Sequence, residues 1–181
     1  MNLRQEFEKK ILPALQKKLG IKNPMAVPRL TKIVVNVGFG SILTKRGEKN
    51  FEKYLESLAK ITGQKPALRR AKKSISNFKL RENNPVGATA TLRRERMYDF
   101  LERFILMAIP RIRDFRGFAR RGDSRGNLNI GVYEHNVFPE VGEVDVKDLH
   151  GIGVTICTTA ASDKEMFALM DEFKFPFKKK S

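Results

Sequence analysis

The sequence predicts an α+β fold, a mixed and largely antiparallel sheet with helices packed on one face and a long basic β-hairpin loop. Two observations carry this expectation. Helical apolar periods alternate with short β-branched runs in the order αβαββαββα, which suits an antiparallel sheet covered by helices. Two apolar, β-prone runs, 66–68 and 86–92, also bracket a polar basic tract, the pattern of a hairpin with a projecting tip.

Leu3, Phe7, Ile11, Leu15 and Leu19 recur every four residues and end at Gly20, so a first helix closes on a left-handed glycine cap, with Pro13 as a point of kinking. After Pro24 and Pro28, residues 30–37 (LTKIVVNV) read as a strand ended by Gly38 and Gly40. A second helix is expected over about 45–62, with Phe51, Leu55, Leu58 and Ile61 on one side and Gly63 at its exit. Residues 64–71 and 86–94 form the hairpin strands. A third helix over 96–109 turns Phe100, Leu101, Phe104 and Ile105 inward and stops near Pro110, which has no N–H to continue the ladder. The stretch PRIRDFRGFARRGDSRGN has no sustained period and reads as a surface loop. Strands at 129–133 and 152–159 flank an acidic excursion. Ser162 and Glu165 stand at capping-box spacing before a last helix over 163–173. The 181 residues are expected to form one domain, with a basic loop at about 71–85, an arginine loop at about 110–127 and a short basic tail at 178–181. The sheet face without helices is left for a ligand.

Composition narrows the partner. The formal net charge is +16, and residues 63–96 alone hold ten Lys or Arg against two Glu. Residues 1–62 have 13 bases and 5 acids, whereas residues 126–181 have six Lys and nine acids. A surface polarised in this way points first to nucleic acid. Between Lys65 and Arg81 there is no acid at all, and Phe78 within that tract offers a ring to stack on a base. No apolar stretch reaches ten residues, so none spans a bilayer, and the opening MNLRQEFEKK lacks an apolar secretory core. A cytoplasmic protein is expected. The single Cys157, in an apolar run, reads as a buried structural thiol.

Enzymatic motifs are present only as fragments. Gly38-Phe39-Gly40 follows a strand, but Leu43 stands where a dinucleotide fingerprint needs glycine, and Thr44-Lys45-Arg46 does not complete a phosphate loop. His135 and His150 have no acidic or cysteine neighbours at metal spacing and read as surface or packing residues. Glu140, Glu143, Asp145 and Asp148 are irregularly spaced, as in a solvated acidic loop or a contact for a basic partner. Arg116-Gly117-Phe118-Ala119 matches the start of an aromatic RNA-recognition motif, but Arg120 replaces its second aromatic. The expectation is a non-enzyme with no metal and no cofactor. A nucleic-acid-binding protein is the first reading, and a free-standing RNA chaperone or regulator is the alternative to a structural role.

Five runs then form a recognisable series: KIVVNVGFG (32–40), ITGQKPALRRAKKSISNFKLRE (61–82), ATLRRERMYDFLERF (90–104), PRIRDFRGF (110–118) and the closing TTA, helix and FPF (175–177). In this order they resemble the bacterial-type large-subunit ribosomal protein L-five family (uL-five), over nearly the whole chain. The resemblance implies an antiparallel α+β fold, 5S rRNA binding, a loop reaching P-site tRNA, and an intersubunit bridge to a small-subunit head protein. Large-subunit rRNA and neighbouring large-subunit proteins are the remaining implied partners, with no membrane. By match to the family's motifs, Asn36, Gln64 and Thr91, with Lys32 and Arg93, are the implied 5S rRNA contacts. Lys72, Lys73, Ser74, Ser76, Asn77, Phe78 and Lys79 match the tRNA-facing loop, and Glu140, Glu143, Asp145 and Asp148 fall where the family meets its basic bridge partner. One departure is local: FARRGDSRGN is a residue shorter than the usual arginine loop and lacks its proline and phenylalanine.

Overall fold

The computed structural model describes residues 3–46, 50–142 and 148–178, with side chains 45 and 46 left out. Its helices are α1 (Leu3–Glu6), α2 (Leu12–Leu19), α3 (Gly40–Arg46), α4 (Glu52–Thr62), α5 (Arg94–Arg103) and α6 (Asp163–Glu172). Its strands are β1 (Leu30–Gly38), β2 (Ala67–Arg70), β3 (Pro85–Leu92), β4 (Leu128–Val132) and β5 (Ile152–Thr158). They form one five-stranded antiparallel sheet in the order β2-β3-β1-β5-β4. The chain packs as two compact units, one of residues 1–33, 92–130 and 155–181, the other of residues 34–91 and 131–154. The boundary falls inside β1, β3, β4 and β5, so each unit holds part of those strands.

In the first unit, α1 and α2 are joined by a π-helical turn, Phe7–Ile11, and Gly20 closes α2 with φ 66. Pro13 lies in the first turn of α2, where its missing N–H is tolerated, and the wide turn just before it is the relief expected upstream of a proline. Phe7, Ile11 and Leu15 are buried. Phe7 stacks on Phe173 with centroids 5.8 Å apart and meets Tyr98 at 6.0 Å. The third helix starts at Arg94, two residues earlier than expected, and passes through a π-helical turn, Phe104–Ala108, to end at a 3-10 turn containing Pro110. Ser162 Oγ accepts from Glu165 N as expected, and Glu165 Oε2 accepts from Ala161 N at 3.0 Å, one residue before the N-cap, so the two side chains cap α6 in a variant of the expected box.

The arginine loop has no regular element across 112–127, as expected, but the core holds it firmly. Phe118 packs on Phe175 at 5.5 Å, and its N–H donates to Pro176 O. Asp123 accepts from Asn127 N, Asn127 Nδ2 and Arg125 N, bonds that hold its carboxyl below the usual range. The Asp163 carboxylate accepts from Ser124 N and Gly126 N, and Asn127 Oδ1 accepts from Thr158 N. Gly126 has φ 76, and an added Cβ would lie 2.4 Å from Ala160 O, so that position requires glycine. The match at Arg116–Ala119 to an RNA-recognition motif is not on a strand, and its Phe118 is committed to the aromatic core.

In the second unit the helix expected over 45–62 is two helices. Gly40 opens α3 instead of closing the strand: Phe39 and Leu43 are buried, and Thr44 Oγ1 donates to Gly40 O. Helix α4 starts only at Glu52, whose N–H donates to Asn50 Oδ1, and ends at Gly63 with φ 64. Phe39 stacks on Tyr54 at 5.0 Å, and Tyr54 meets the His150 ring edge-on at 5.0 Å. The two histidines are packing residues, 2% and 5% exposed, but they are not separate: their rings stack at 3.7 Å. His150 N donates to His135 Nδ1, and burial pushes His135 down to about 4 and His150 below its ordinary value.

Candidate nucleic-acid interface

Strand alternation divides the sheet residues chemically. In β1, Ile33, Val35 and Val37 are buried, so Lys32, Val34 and Asn36 take the other face. In β3, Ala88, Ala90 and Leu92 are buried and Thr89 and Thr91 alternate with them. The same rule puts Gly153, Thr155 and Cys157 of β5, and Asn129 and Gly131 of β4, opposite the core side. Cys157 is therefore half-buried and not the enclosed thiol expected from the apolar run, because Ile152, Val154 and Ile156 take the inward positions.

Within the second unit, Gln64 Nε2 donates to Thr91 O at 3.4 Å, so these two candidates stand together. Asn36 lies on β1, whose neighbour in the sheet is β3, and is exposed. A Cβ at Gly153 would lie 2.5 Å from Asn36 Oδ1, so that glycine makes room for the amide. The register sets Ala67 opposite Thr89 and Arg69 opposite Gly87, and cross-strand partners share a face, so Arg69 joins the polar set. The arrangement offers hydroxyls, amides and one guanidinium, suited to riboses, phosphates and base edges.

Within the first unit, Lys32 is half-buried on β1 and Arg93 is exposed between β3 and α5. Thr155 Oγ1 donates to Asn129 Oδ1 at 2.8 Å, which fixes that amide on the same face as Thr155. The alternation in β4 and β5 was the signal by which Asn129 and Thr155 could have been found; the sequence reading passed over them.

The segment between β2 and β3 is ordered by its own backbone. Ile75 and Leu80 exchange both N–H to O bonds, at 2.9 and 3.1 Å, around a 3-10 turn, Ser76–Phe78, and Lys79 closes it with φ 50. Ser74 Oγ accepts from Glu82 N. Lys72, Lys73, Ser74, Ser76, Asn77, Phe78 and Lys79 are all exposed, Phe78 by 71%. Among the described residues no carboxylate pairs with Lys72, Lys73 or Lys79. An open cavity of about 660 Å³ lies between this turn and the start of α3.

The acidic candidates fare unevenly. Glu140 is half-buried, Asp148 is bound to Lys53 Nζ at 2.6 Å, and Glu143 and Asp145 lie outside the described residues. A basic partner docking there would have to compete with Lys53 for Asp148.

Comparison with known proteins gives a consistent result. The family described as "Ribosomal protein L5" matches residues 23–81, and the model of the same ribosomal family's C-terminus matches residues 85–177. The chain is 46% identical over 180 residues to the large ribosomal subunit protein uL5 of Prosthecochloris aestuarii, covering 99% of this chain and 91% of that one. It is 49% identical over 177 residues to the protein of the same name from Ruthia magnifica, covering 97% of this chain and 98% of that one. The corresponding protein of Variovorax paradoxus is 48% identical over 177 residues, with the same coverage.

Proposed function

Because this chain belongs to the ribosomal protein L5 family and is a non-enzymatic component of the large ribosomal subunit, we propose that it holds 5S rRNA on the polar face of its sheet. The observation that carries this reading is the group of Asn36, Gln64 and Thr91, neutral donors and acceptors on adjoining elements beside glycines. Neutral groups set register on folded RNA, while Lys32, Arg93 and Arg69 neutralise phosphates. The exposed loop from Lys72 to Lys79 serves a second RNA, P-site tRNA, which needs a projecting cationic tip with a ring to stack. The acidic stretch that includes Glu140 and Asp148 faces a basic small-subunit head protein across the subunit interface.

One paired experiment tests this division. Asn36→Ala with Gln64→Ala is expected to weaken binding to isolated 5S rRNA by about 10- to 100-fold, the worth of one or two lost polar contacts. Lys72→Gln, Lys73→Gln and Lys79→Gln together are expected to change 5S affinity by less than about threefold, yet to loosen P-site tRNA in assembled ribosomes. Equal loss of 5S affinity in the two variants would refute the separation of surfaces.

A further inference from the structure

We propose that an arginine-lined cleft at the start of α5 is a second RNA subsite, one that takes a phosphodiester strand. The cleft encloses about 770 Å³ and its lining includes Arg4, Arg29, Arg93, Arg94, Arg96 and Tyr98. That volume is within the range of about 300–1,000 Å³ typical of ligand sites, enough for a nucleotide and not merely a point of surface contact. Among the described residues only two carboxylates, Glu8 and Glu95, also line it, and both are engaged by Arg4, at 3.3 and 3.0 Å. Among the described residues Arg29, Arg93, Arg94 and Arg96 have no carboxylate partner, which leaves four unpaired guanidinium groups and a net charge of +3 among the cleft's described lining.

The surplus is partly preorganised. Arg29 is held at both ends: its backbone N–H donates to Thr159 Oγ1 at 2.9 Å, and its Nη2 donates to Pro24 O at 3.2 Å. Its Nε–H is buried without an acceptor among the described residues, an unmet donor that a small rotation toward an incoming oxyanion would satisfy. Helix α5 has ten residues and no side chain caps its start, so its first-turn N–H groups add positive potential in the same place. Among the described residues no lysine lines the cleft, and the charge is carried by planar forks that match phosphate oxygens in pairs and stack on bases. The apolar part of the lining, Phe7, Leu12 and Met97, suits a sugar or base edge between phosphates better than a carboxylate-rich peptide.

This subsite goes beyond the sheet-face reading, since of its arginines only Arg93 belongs to that set. The test uses the full chain with Arg94→Gln and Arg96→Gln combined. Both positions are exposed, so folding is retained, and Arg29→Gln is added as a separate variant. Binding is measured against salt with two probes, a 5S rRNA transcript and the large-subunit rRNA. Removing two phosphate contacts is expected to lower affinity about 10- to 100-fold for one probe and to reduce the salt slope by about 1 to 2. The probe affected identifies the source of the strand, and an effect on either supports the subsite. Unchanged affinity and slope for both RNAs overturn it, as does weakened docking of an acidic ribosomal protein with both RNA affinities intact. Arg94→Lys with Arg96→Lys should retain the wild-type slope but only part of the affinity. If Asn36→Ala with Gln64→Ala leaves 5S binding intact, the sheet-face reading fails alone and this one stands.

Discussion

Raising salt from about 50 mM to about 200 mM is expected to weaken binding to 5S rRNA by about 10³-fold or more, the behaviour of a complex with at least six phosphate contacts. The expectation rests on where charge remains unpaired. Residues 63–96 hold ten Lys or Arg against two Glu, and of those two Glu95 is engaged by Arg4. The exposed Lys65, Arg69 and Arg70, with the arginines at the start of α5, retain counterions that 5S rRNA would release, whereas Lys72, Lys73 and Lys79 are left for the second RNA. Arg120 is not part of this store. It pairs with Asp171 and lies 5.2 Å from the rings of Phe167 and Phe177, so its neutralisation should cost stability and leave the salt slope nearly unchanged. An affinity that stays constant over the same range would contradict the electrostatic account.

Acid is expected to destabilise the fold through the stacked histidines. His135 is held down to about 4 against an ordinary value of 6.5, chiefly by burial and then by the neighbouring His150. The unfolded chain therefore binds a proton more readily than the folded one. Stability is full above about pH 6.5, falls as the pH drops toward 4, and loses about 3 kcal/mol from His135 over that window. His150 adds in the same direction, while the nearby Asp148 opposes both shifts and Lys53 reinforces that of His150. Urea denaturation at pH 7 and pH 4.5 checks this. The wild type should lose most of that amount, and His135→Asn, which keeps an acceptor for His150 N–H but does not titrate, should lose clearly less. Equal pH dependence in the two proteins would remove the histidine pair as the cause.

Much of the fold was legible because local signals and packing agree. The four-residue apolar spacing from Leu3 to Leu19 and Gly20 gave the first helix and its left-handed cap. The alternation in LTKIVVNV placed both a strand and the face on which Asn36 stands. What escaped detection depends on contacts distant in sequence. Helix α3 begins at a glycine because Phe39 and Leu43 are anchored in the core, which overrides glycine's poor helical propensity. His135 and His150 are fifteen positions apart and carry no periodic mark of their stacking. The arginine loop reads as solvated because its anchors, Asp163 and Phe175, lie some forty to sixty residues further on. The cleft at α5 is likewise assembled from Arg4, Arg29 and Arg96, three separate stretches. The family resemblance pointed to 5S rRNA as the expected ligand; charge alone reached only nucleic acid.

The central claim is that this chain reads a particular folded RNA through a polar sheet face, with charge as an aid and not as the discriminator. Its most direct test is competition at about 150 mM salt between a 5S rRNA transcript and a control RNA of equal length and shuffled sequence. The account predicts a preference for 5S rRNA of at least about a hundredfold, lost largely in Asn36→Ala with Gln64→Ala. Equal affinity for the two RNAs in the wild-type protein would contradict it.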